Sequence, residues 1–227
     1  MTIKVPVQAE SNTQFPPQVL SKLDLGGTLY YPPSENLMHT SAVKSRHIIL
    51  RPLVEQDLET IFKWKCSTSD LHLWFKRSEI LSFREFLDDF DSFVRNYCHV
   101  LQMICATTSE VPVGMTYSYQ ADYLNGHVYV CTFVDENHRN YLYGAEASLL
   151  FVDYLFTYFT FRKIYAEVYE HNLDSINNLR KSEWVQEGCL KKHIWRLGEY
   201  KDMLIFALYR EHFYQKYSKL LQMIKTV

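Results

Sequence analysis

The residues between 126 and 147 place a basic turn and two small residues directly after a predicted strand. Apolar side chains dominate residues 127–134 and predict the strand, and the polar residues that follow predict a turn. Arg139 supplies a cation in this turn, while Gly144 and Ala145 let the backbone come close to a ligand. The helix that starts there offers unpaired N–H groups and a positive dipole end. The segment therefore predicts a binding site for a phosphate group.

This segment resembles the acyl-CoA-binding motif of the GNAT acyltransferase superfamily, which reads Arg/Gln-x-x-Gly-x-Gly/Ala between a strand and a long helix. Arg139, Leu142 and Gly144 stand at its defining positions. The pair Glu146-Ala147 follows, as in the branch that acetylates protein N-termini and small amines. Leu142 departs from the motif, because the family usually has glycine there.

A second segment resembles another GNAT motif, Asn-x-x-Ser/Ala followed by a helix, a Gly-Phe step and a Glu-Gly pair. Asn172 and Ser175 match its first part and Glu187-Gly188 matches its end. Trp184 replaces the aromatic residue of the motif, and Glu183 replaces the glycine before it. Two motifs in the right order are more specific than either alone.

The resemblance covers about residues 47–210, and residues 187–202 are similar to the closing hairpin of ribosomal-protein N-terminal (Rim-type) and small-molecule acetyltransferases. It implies an α/β fold of the GNAT type. We expect a mixed, mostly antiparallel sheet of six to seven strands with helices on both faces. A V-shaped splay between the central strands is part of this expectation.

The hydrophobic patterns of the chain agree with this architecture. Apolar runs predict strands at residues 47–53, 99–107, 113–121, 127–134 and 163–169. Helical spacing predicts helices within residues 54–62, 83–97 and 147–158. Ser82 and Glu85 form a capping-box pair at the start of the second helix. Asn125-Gly126 predicts the turn of a hairpin, and the strand–helix–strand passage after it predicts parallel pairing.

The 227 residues, 47% of them hydrophobic, suit one globular domain with appended material. We expect an N-terminal extension at residues 1–45, a GNAT-like acyltransferase domain at 46–210 and a C-terminal helix at 211–227. The N-terminal extension either packs on the domain or reaches a partner. Both extensions are candidates for a homodimer contact.

Charge and cysteine content exclude several classes of protein. The formal net charge of -2 provides no global basic field, so we expect neither nucleic acid nor a membrane as a partner. The five cysteines are scattered without a C-x-x-C pair, which disfavours a disulfide framework and a structural zinc site. Without an apolar signal region as well, the chain is expected in the cytoplasm, with no metal.

The resemblance implies that the chain transfers an acetyl group from acetyl-CoA to a primary amine by direct attack in a ternary complex. The acceptor would be a small-molecule amine or a protein N-terminus. The pantetheine would lie where residues 132–134 splay from residues 164–168, and a backbone N–H near Phe133 would stabilise the oxyanion. The residues expected to bind the cofactor are Thr132, Phe133, Val134, Arg139, Asn140, Tyr141, Leu142, Tyr143, Gly144, Ala145 and Asn172.

The resemblance also implies the acid that protonates the departing thiolate. Many relatives use a tyrosine seven residues after the motif asparagine, but this chain has Leu179 there. We favour Ser175 as the donor, with Asn172 positioning CoA or a water. The alternative makes Ser175 a first-turn residue that satisfies backbone groups and Asn172 a loop residue before a helix capped by Asp174.

The sequence leaves several candidates for the general base and two interpretations of the residue that would border the acceptor pocket. The glutamate of the related ribosomal enzymes falls near Ile194, so it does not transfer. His193 is the favoured base, and Glu199, His127, Glu170 or a chain of waters remain alternatives. Trp74 is a candidate wall of the acceptor pocket, or else an aromatic anchor that holds its loop on the core.

Two further hypotheses remain open. Leu142 and the high aromatic content, 15% of the residues, are compatible with a longer acyl-CoA or an acyl carrier protein as donor. The departures at Leu142, Leu179 and Glu183 also fit a catalytically silent GNAT-like domain that serves as a binding module. A covalent route through Cys131 is disfavoured, since nothing beside it in the sequence would lower a thiol pKa.

Overall fold

The computed structural model describes residues 42–66, 81–139, 142–196 and 198–225. The predictions for Trp74, Asn140 and Tyr141, and for nearly all of the N-terminal extension, lie outside these residues. In this part of the chain, no helix is both long and apolar enough to cross a bilayer.

The described residues form one sheet of eight strands in the order β1-β2-β3-β4-β5-β6-β8-β7. They are β1 (Val43–Lys44), β2 (Ile48–Arg51), β3 (Cys98–Ala106), β4 (Pro112–Asp122), β5 (His127–Val134), β6 (Lys163–Tyr169), β7 (Val185–Arg196) and β8 (Glu199–Tyr209). Only the β5–β6 pair is parallel, which confirms the expected mixed, mostly antiparallel sheet. The sheet has one strand more than expected, because the two-residue β1 pairs with β2.

Five helices are described, and their starts have local causes in the sequence. They are α1 (Asp57–Cys66), α2 (Phe83–Asn96), α3 (Tyr143–Tyr158), α4 (Leu173–Lys181) and α5 (Arg210–Lys225). The capping box at the start of α2 is confirmed, since Ser82 Oγ accepts from the Glu85 N–H and the Glu85 carboxylate accepts from the Ser82 N–H.

The helices cover both faces of the sheet. Helices α1 and α2 pack on one face, where Trp64, Phe86 and Phe90 join odd-numbered residues of β4 and β5 in a buried cluster. Helices α3 and α5 pack on the other face. Helix α4 lies on this same face. Its Ile176 packs in a cluster with Val168 of β6. Val168 and Ile164 are four positions apart on β6 and so point to the same face, and Ile164 belongs to the cluster under α3. The division into three segments stays a prediction, although α5 buries Phe213 and Leu221 in the core shared with α3.

The link between β4 and β5 also fixes where β6 begins. Gly126 closes this hairpin with a φ of +69°, a conformation that glycine adopts without strain. Its carbonyl oxygen accepts from the N–H groups of Arg162 and Lys163 at 2.8 and 3.2 Å. Strands β5 and β6 therefore start side by side, and α3 joins the end of β5 to the start of β6.

Candidate active site

Strands β5 and β6 pair only along their first three residues. The paired residues are His127 with Lys163, Val128 with Ile164 and Tyr129 with Tyr165. From Val130 onward β5 keeps its pairing with β4 but has no partner on β6, whereas β6 stays paired with β8 up to Tyr169. The two strands therefore splay as the fold prediction required. The prediction that the splay begins at residue 164 is wrong by two residues, because Ile164 and Tyr165 are still paired with β5.

Side-chain exposure shows that the splay opens a cleft. Strand β5 is the fifth of eight strands, and the neighbouring β4 is buried from Val113 to Tyr119. Val130, Cys131 and Thr132 of β5 are nevertheless only half-buried. Among the residues that the structure describes, none pairs with the β6-facing edge of this interior strand beyond Tyr129, so its backbone groups there are open to an amide-bearing ligand.

The helix that follows β5 begins at the carboxyl end of this cleft. Leu142 is the N-cap of α3 and is 72% exposed. Its side chain has no acceptor, so Leu142 leaves the N–H groups of the first turn to other partners. Glu146 is buried and bonds to His47 Nδ1 at 3.0 Å, which ties this turn to the start of β2. The motif glutamate thus has a structural role.

Gly144 lies close to the end of β5. A Cβ atom at Gly144 would stand 3.3 Å from Val134 Cγ2, so the glycine lets the first turn of α3 approach the strand. The structure describes Leu142, Tyr143 and Ala145 beside it, all in the first turn or at its cap. The residues predicted to cradle the phosphates are thus contiguous at one helix start.

Arg139 connects this turn with the start of α4. Its Nε donates to the Val134 carbonyl at 3.2 Å. Desolvation lowers the pKa of the Arg139 guanidinium, and the nearby charge of Asp174 acts in the opposite direction. The cation therefore lies between the end of β5 and the first turn of α4 and keeps its proton.

Asn172 caps α4 through its side chain. Asn172 Oδ1 accepts from the Ser175 N–H at 3.2 Å, so Asn172 is the N-cap, and the alternative that assigned the cap to Asp174 is wrong. Ser175 is half-buried, and its hydroxyl has no hydrogen-bond partner among residues 42–66, 81–139, 142–196 and 198–225. Both residues follow β6, while the phosphate turn follows β5. Parallel strands end at the same edge, so both motifs border the open end of the splay.

The three β5 residues predicted to bind the cofactor point to different faces. Thr132 Oγ1 bonds to Thr116 and Ser148 under α3, so the Thr132 side chain is occupied. Phe133 is buried against Trp64 on the opposite face, with ring centroids 5.4 Å apart. Residues 132–134 therefore face the splay through their backbone, which agrees with an oxyanion or amide contact rather than a side-chain contact.

His193 lies on a strand that is not next to the cleft. It is exposed on β7, where the pairing register shifts between Leu190 and Ile194, and both β8 and β6 separate β7 from β5. The β7–β8 hairpin does extend past Tyr169, the last residue of β6, toward the edge that carries the two motifs. The structure thus does not bring His193 together with residues 132–134, and its role as base stays a prediction.

A carboxylate that the sequence analysis did not select lies on β6 just beyond the last pair with β5. Glu167 is half-buried, and its Oε2 accepts from the Tyr119 hydroxyl at 3.0 Å. Glu167 interacts electrostatically with the phenols of Tyr97 and Tyr129 as well. Its one sequence signal is that it is the only acidic residue in the strand KIYAEVY.

The thiol of Cys131 points to the same face as Glu167. Burial raises the pKa of Cys131 to about 11; a hydrogen bond with Tyr117 acts against this rise, and the Glu167 charge adds to it. A thiol with this pKa is a weak nucleophile near neutral pH.

Two other features do not belong to the cleft. A groove of about 450 Å³ is lined by Glu183, Val185, His212, Gln215 and Lys216, on the α4–β7 link and α5. Within the described ranges, no group of three or more His, Cys, Asp or Glu residues is arranged to hold a metal ion.

Comparisons with known proteins agree with this architecture. A family model described as an acetyltransferase (GNAT) domain matches residues 47–184. A curated relative, the SPbeta prophage-derived uncharacterized N-acetyltransferase YokL of Bacillus subtilis (strain 168), is 31% identical over 101 residues. That match spans 44% of this chain and 57% of the relative, so the chain corresponds to little more than half of that protein.

Solved structures extend the similarity of the fold. A spermidine N-acetyltransferase from Vibrio cholerae, in complex with CoA and spermine, superimposes with a TM-score of 0.67 at 18% identity. The alignment covers 73% of this chain and 97% of that one. A GNAT-family acetyltransferase from Bacillus anthracis gives a TM-score of 0.64 at 15% identity, over 75% of this chain and 99% of the other. Since the family model spans more than half of the residues, this chain belongs to the acetyltransferase (GNAT) domain family.

Proposed function

We propose that the protein transfers an acetyl group from acetyl-CoA to the primary amine of a small molecule, by direct attack in a ternary complex. The observation that carries this proposal is the loss of β5–β6 pairing after Tyr129 and Tyr165, with the β5 residues beyond it half-buried. An unpaired strand edge in the middle of a sheet leaves backbone N–H and C=O groups that water or a ligand must satisfy. The pantetheine amides are suited to that role.

The residues at the end of the cleft support the placement of the diphosphate. The first-turn N–H groups of α3, the close approach at Gly144 and the Arg139 cation together suit an anionic group. Residues 132–134 would contribute backbone groups to the acyl end. Asn172 is engaged as a helix cap, so we assign it a role in fixing the position of Ser175, whose hydroxyl would protonate the leaving thiolate.

The acceptor is assigned as an amine because similar folds act on amines. The Vibrio cholerae structure is of a spermidine N-acetyltransferase that holds CoA and spermine, which supports a small-molecule amine over a protein N-terminus. Location in the cytoplasm and a homodimer through the terminal extensions also remain proposals. The five cysteines, all free thiols, agree with a reducing compartment.

No structural observation favours the longer-acyl alternative. Leu142 lies at the start of α3, where the diphosphate would bind, so it affects the phosphate contact rather than the space for the acyl chain. We therefore keep acetyl-CoA as the donor.

Calorimetry with acetyl-CoA, followed by mass spectrometry of a panel of amines, tests the proposal. We expect saturable binding and a product heavier by one acetyl group, together with release of one CoA per product. Failure to bind acetyl-CoA at high protein concentration would overturn the proposal. Binding without product from alkylamines, polyamines, amino sugars or peptides would instead support the silent binding module.

A further inference from the structure

The carboxylate of Glu167 has one oxygen engaged and one open. Oε2 is held by the Tyr119 hydroxyl at 3.0 Å. Oε1 has no hydrogen-bond partner in the described part of the chain, and it is not among the buried atoms that lack one. The side chain is half-buried and follows the last β5–β6 pair, so this open oxygen lies at the start of the splay.

Tyrosine rings form a wall beside this carboxylate on the same face of the sheet. Tyr97 and Tyr119 stack with ring centroids 4.9 Å apart, Tyr119 and Tyr129 lie at 5.4 Å, and Tyr129 and Tyr165 stack at 5.0 Å. The row crosses β4, β5 and β6, because Tyr119 pairs with Tyr129 and Tyr129 with Tyr165. A carboxylate beside aromatic faces is the combination that recognises an organic cation, by ion pairing and by cation–π attraction.

We propose, on the basis of the proposed function, that Glu167 is a catalytic residue that binds the acceptor as an alkylammonium ion and accepts its proton. The alkyl chain of the acceptor would lie along the half-buried rings of Tyr97 and Tyr129, since Tyr119 between them is buried. Tyr119 is a positioning residue, since its hydrogen bond to Oε2 turns the other oxygen toward the splay.

The step balances with the groups present. Glu167 removes one proton from the ammonium and leaves a neutral amine with a lone pair. The amine attacks the thioester carbonyl, the C–N bond forms and the C–S bond breaks. The CoA thiolate takes a proton from the Ser175 hydroxyl. The second proton, lost by the nitrogen after the attack, reprotonates Ser175 through solvent. Glu167 releases the first proton to solvent, so the net products are the amide, CoA thiol and one proton. No oxidant or metal is needed.

The charged and titratable groups around Glu167 leave it able to act as a base. Facing it are Tyr97 at the α2–β3 junction, Tyr119 on β4, and Tyr129 and Cys131 on β5. All four are neutral near pH 7, because burial and the Glu167 charge raise the pKa of each. On β6, Lys163 lies four positions before Glu167, with Tyr165 midway between them. The Lys163 ammonium is paired with the Glu187 carboxylate at 2.9 Å. On β8, the residue opposite is Ile205, which does not titrate.

Glu167→Gln tests the proposal because it keeps the shape and removes the charge and the basicity. We expect the affinity for acetyl-CoA, measured by calorimetry, to stay within about threefold. We expect kcat/KM for an alkylamine to fall by about 100-fold or more, which is the range for loss of a general base. The acidic limb of the pH profile of kcat/KM should disappear in this variant. Glu211→Gln, an exposed carboxylate at the start of α5, is the matched control and should retain the wild-type profile.

A dead-end cation tests recognition apart from proton transfer. Butyltrimethylammonium cannot be acetylated and should inhibit competitively against the amine, whereas neutral 1-hexanol should inhibit at least about tenfold less. Inhibition by the cation should weaken about tenfold or more in Glu167→Gln.

A Gln variant with unchanged kcat/KM and unchanged inhibition would overturn the inference. Loss of acetyl-CoA binding by that variant would also overturn it, because Glu167 would then support the fold. Failure of the wild-type protein to bind acetyl-CoA would instead reject the proposed function itself.

Discussion

The Tyr119 hydroxyl donates a 3.0 Å hydrogen bond to Glu167 Oε2 and so joins β4 to β6, two strands that β5 separates in the sheet. Burial raises the pKa of Tyr119 far above its usual value, and the charge of Glu167 raises it further. The phenol therefore stays protonated and remains a donor at any pH at which the protein is folded. This bond spans β5 on the face of the sheet opposite α3, beside the point where β5 and β6 separate.

Tyr119→Phe should separate positioning from catalysis. Loss of a hydrogen bond to a carboxylate costs about 1–2 kcal/mol of unfolding free energy. Glu167 Oε2 then loses its donor and the carboxylate is held less firmly, so kcat/KM for the amine should fall while the affinity for acetyl-CoA stays unchanged. Urea unfolding measures the first effect, and initial velocities together with calorimetry measure the second. Tyr158→Phe, at an exposed phenol on α3, is the control. An unchanged kcat/KM would show that this bond does not position Glu167.

Gly114→Ala should destabilise the sheet at the splay. A Cβ atom at Gly114 would lie 2.1 Å from the Phe133 carbonyl oxygen, which is backbone and cannot move alone. We expect a loss of at least about 2 kcal/mol in urea unfolding and weaker acetyl-CoA binding, because β5 must shift where its backbone faces the cleft. Gly188→Ala on β7 is the control, since its nearest neighbour is the Ile205 side chain at 3.5 Å. Equal stability of the two variants would contradict the expectation.

The sequence predicted most of the elements because their causes are local. The sequence predicts strands at residues 127–134 and 163–169, and both are strands with the same limits, since their apolar runs are bounded by turn residues. The capping box of Ser82 and Glu85 needs only residues three positions apart, so it too was readable. The left-handed φ of +61° at Glu183 explains why the family has glycine there.

The parts of the site that were missed depend on contacts between distant residues. Alternation along β6 places Glu167 on the face opposite Ala166 and Val168, but not beside Tyr119, which lies 48 positions away. That contact follows from the registers of two strand pairs and from where one of them ends. The role of Asn172 toward CoA stays a prediction. Its helix cap joins residues only three positions apart, but it needs a backbone conformation that the sequence alone leaves open.

Glu187→Gln should change the pH dependence of stability. Burial raises the pKa of the Glu187 carboxyl, but hydrogen bonds from Tyr209, Lys163 and Tyr165 outweigh this and leave the pKa below its usual value. A lowered folded-state pKa contributes stability above the unfolded pKa, about 4.3, and this stability is lost as the pH falls through the folded value.

Because Glu187 is an exposed residue whose charge is screened by solvent, the stability difference between wild type and Glu187→Gln should be at most about 1 kcal/mol at pH 7 and should shrink below pH 4. Urea unfolding at several pH values measures it. Glu211→Gln should show no such dependence, as its carboxylate is exposed on α5. A difference that does not change with pH would mean that the three bonds do not favour the charged form.

Arg139→Gln should weaken acetyl-CoA binding without unfolding the protein. The guanidinium lies at the carboxyl end of β5, where a diphosphate would meet the α3 N-terminus. We expect about a tenfold loss of affinity and a weaker dependence of affinity on salt, because one cation fewer is screened. Calorimetry at two salt concentrations measures both. Arg84→Gln, an equal change of charge on the exposed side of α2, should bind like the wild type.

Cys131→Ala should retain turnover, since the chemistry does not pass through a thiolate. With a pKa of about 11, only about 0.1% of the Cys131 thiol is ionised at pH 8, so it attacks a thioester slowly. We expect kcat within about twofold of wild type and a small loss of stability from the lost contact with Tyr117. Initial velocities with both substrates varied should give intersecting lines, as a ternary complex requires. Parallel lines, with an acetyl group on Cys131 in peptide mass spectra, would contradict direct transfer, because a ping-pong route leaves a covalent acyl-enzyme.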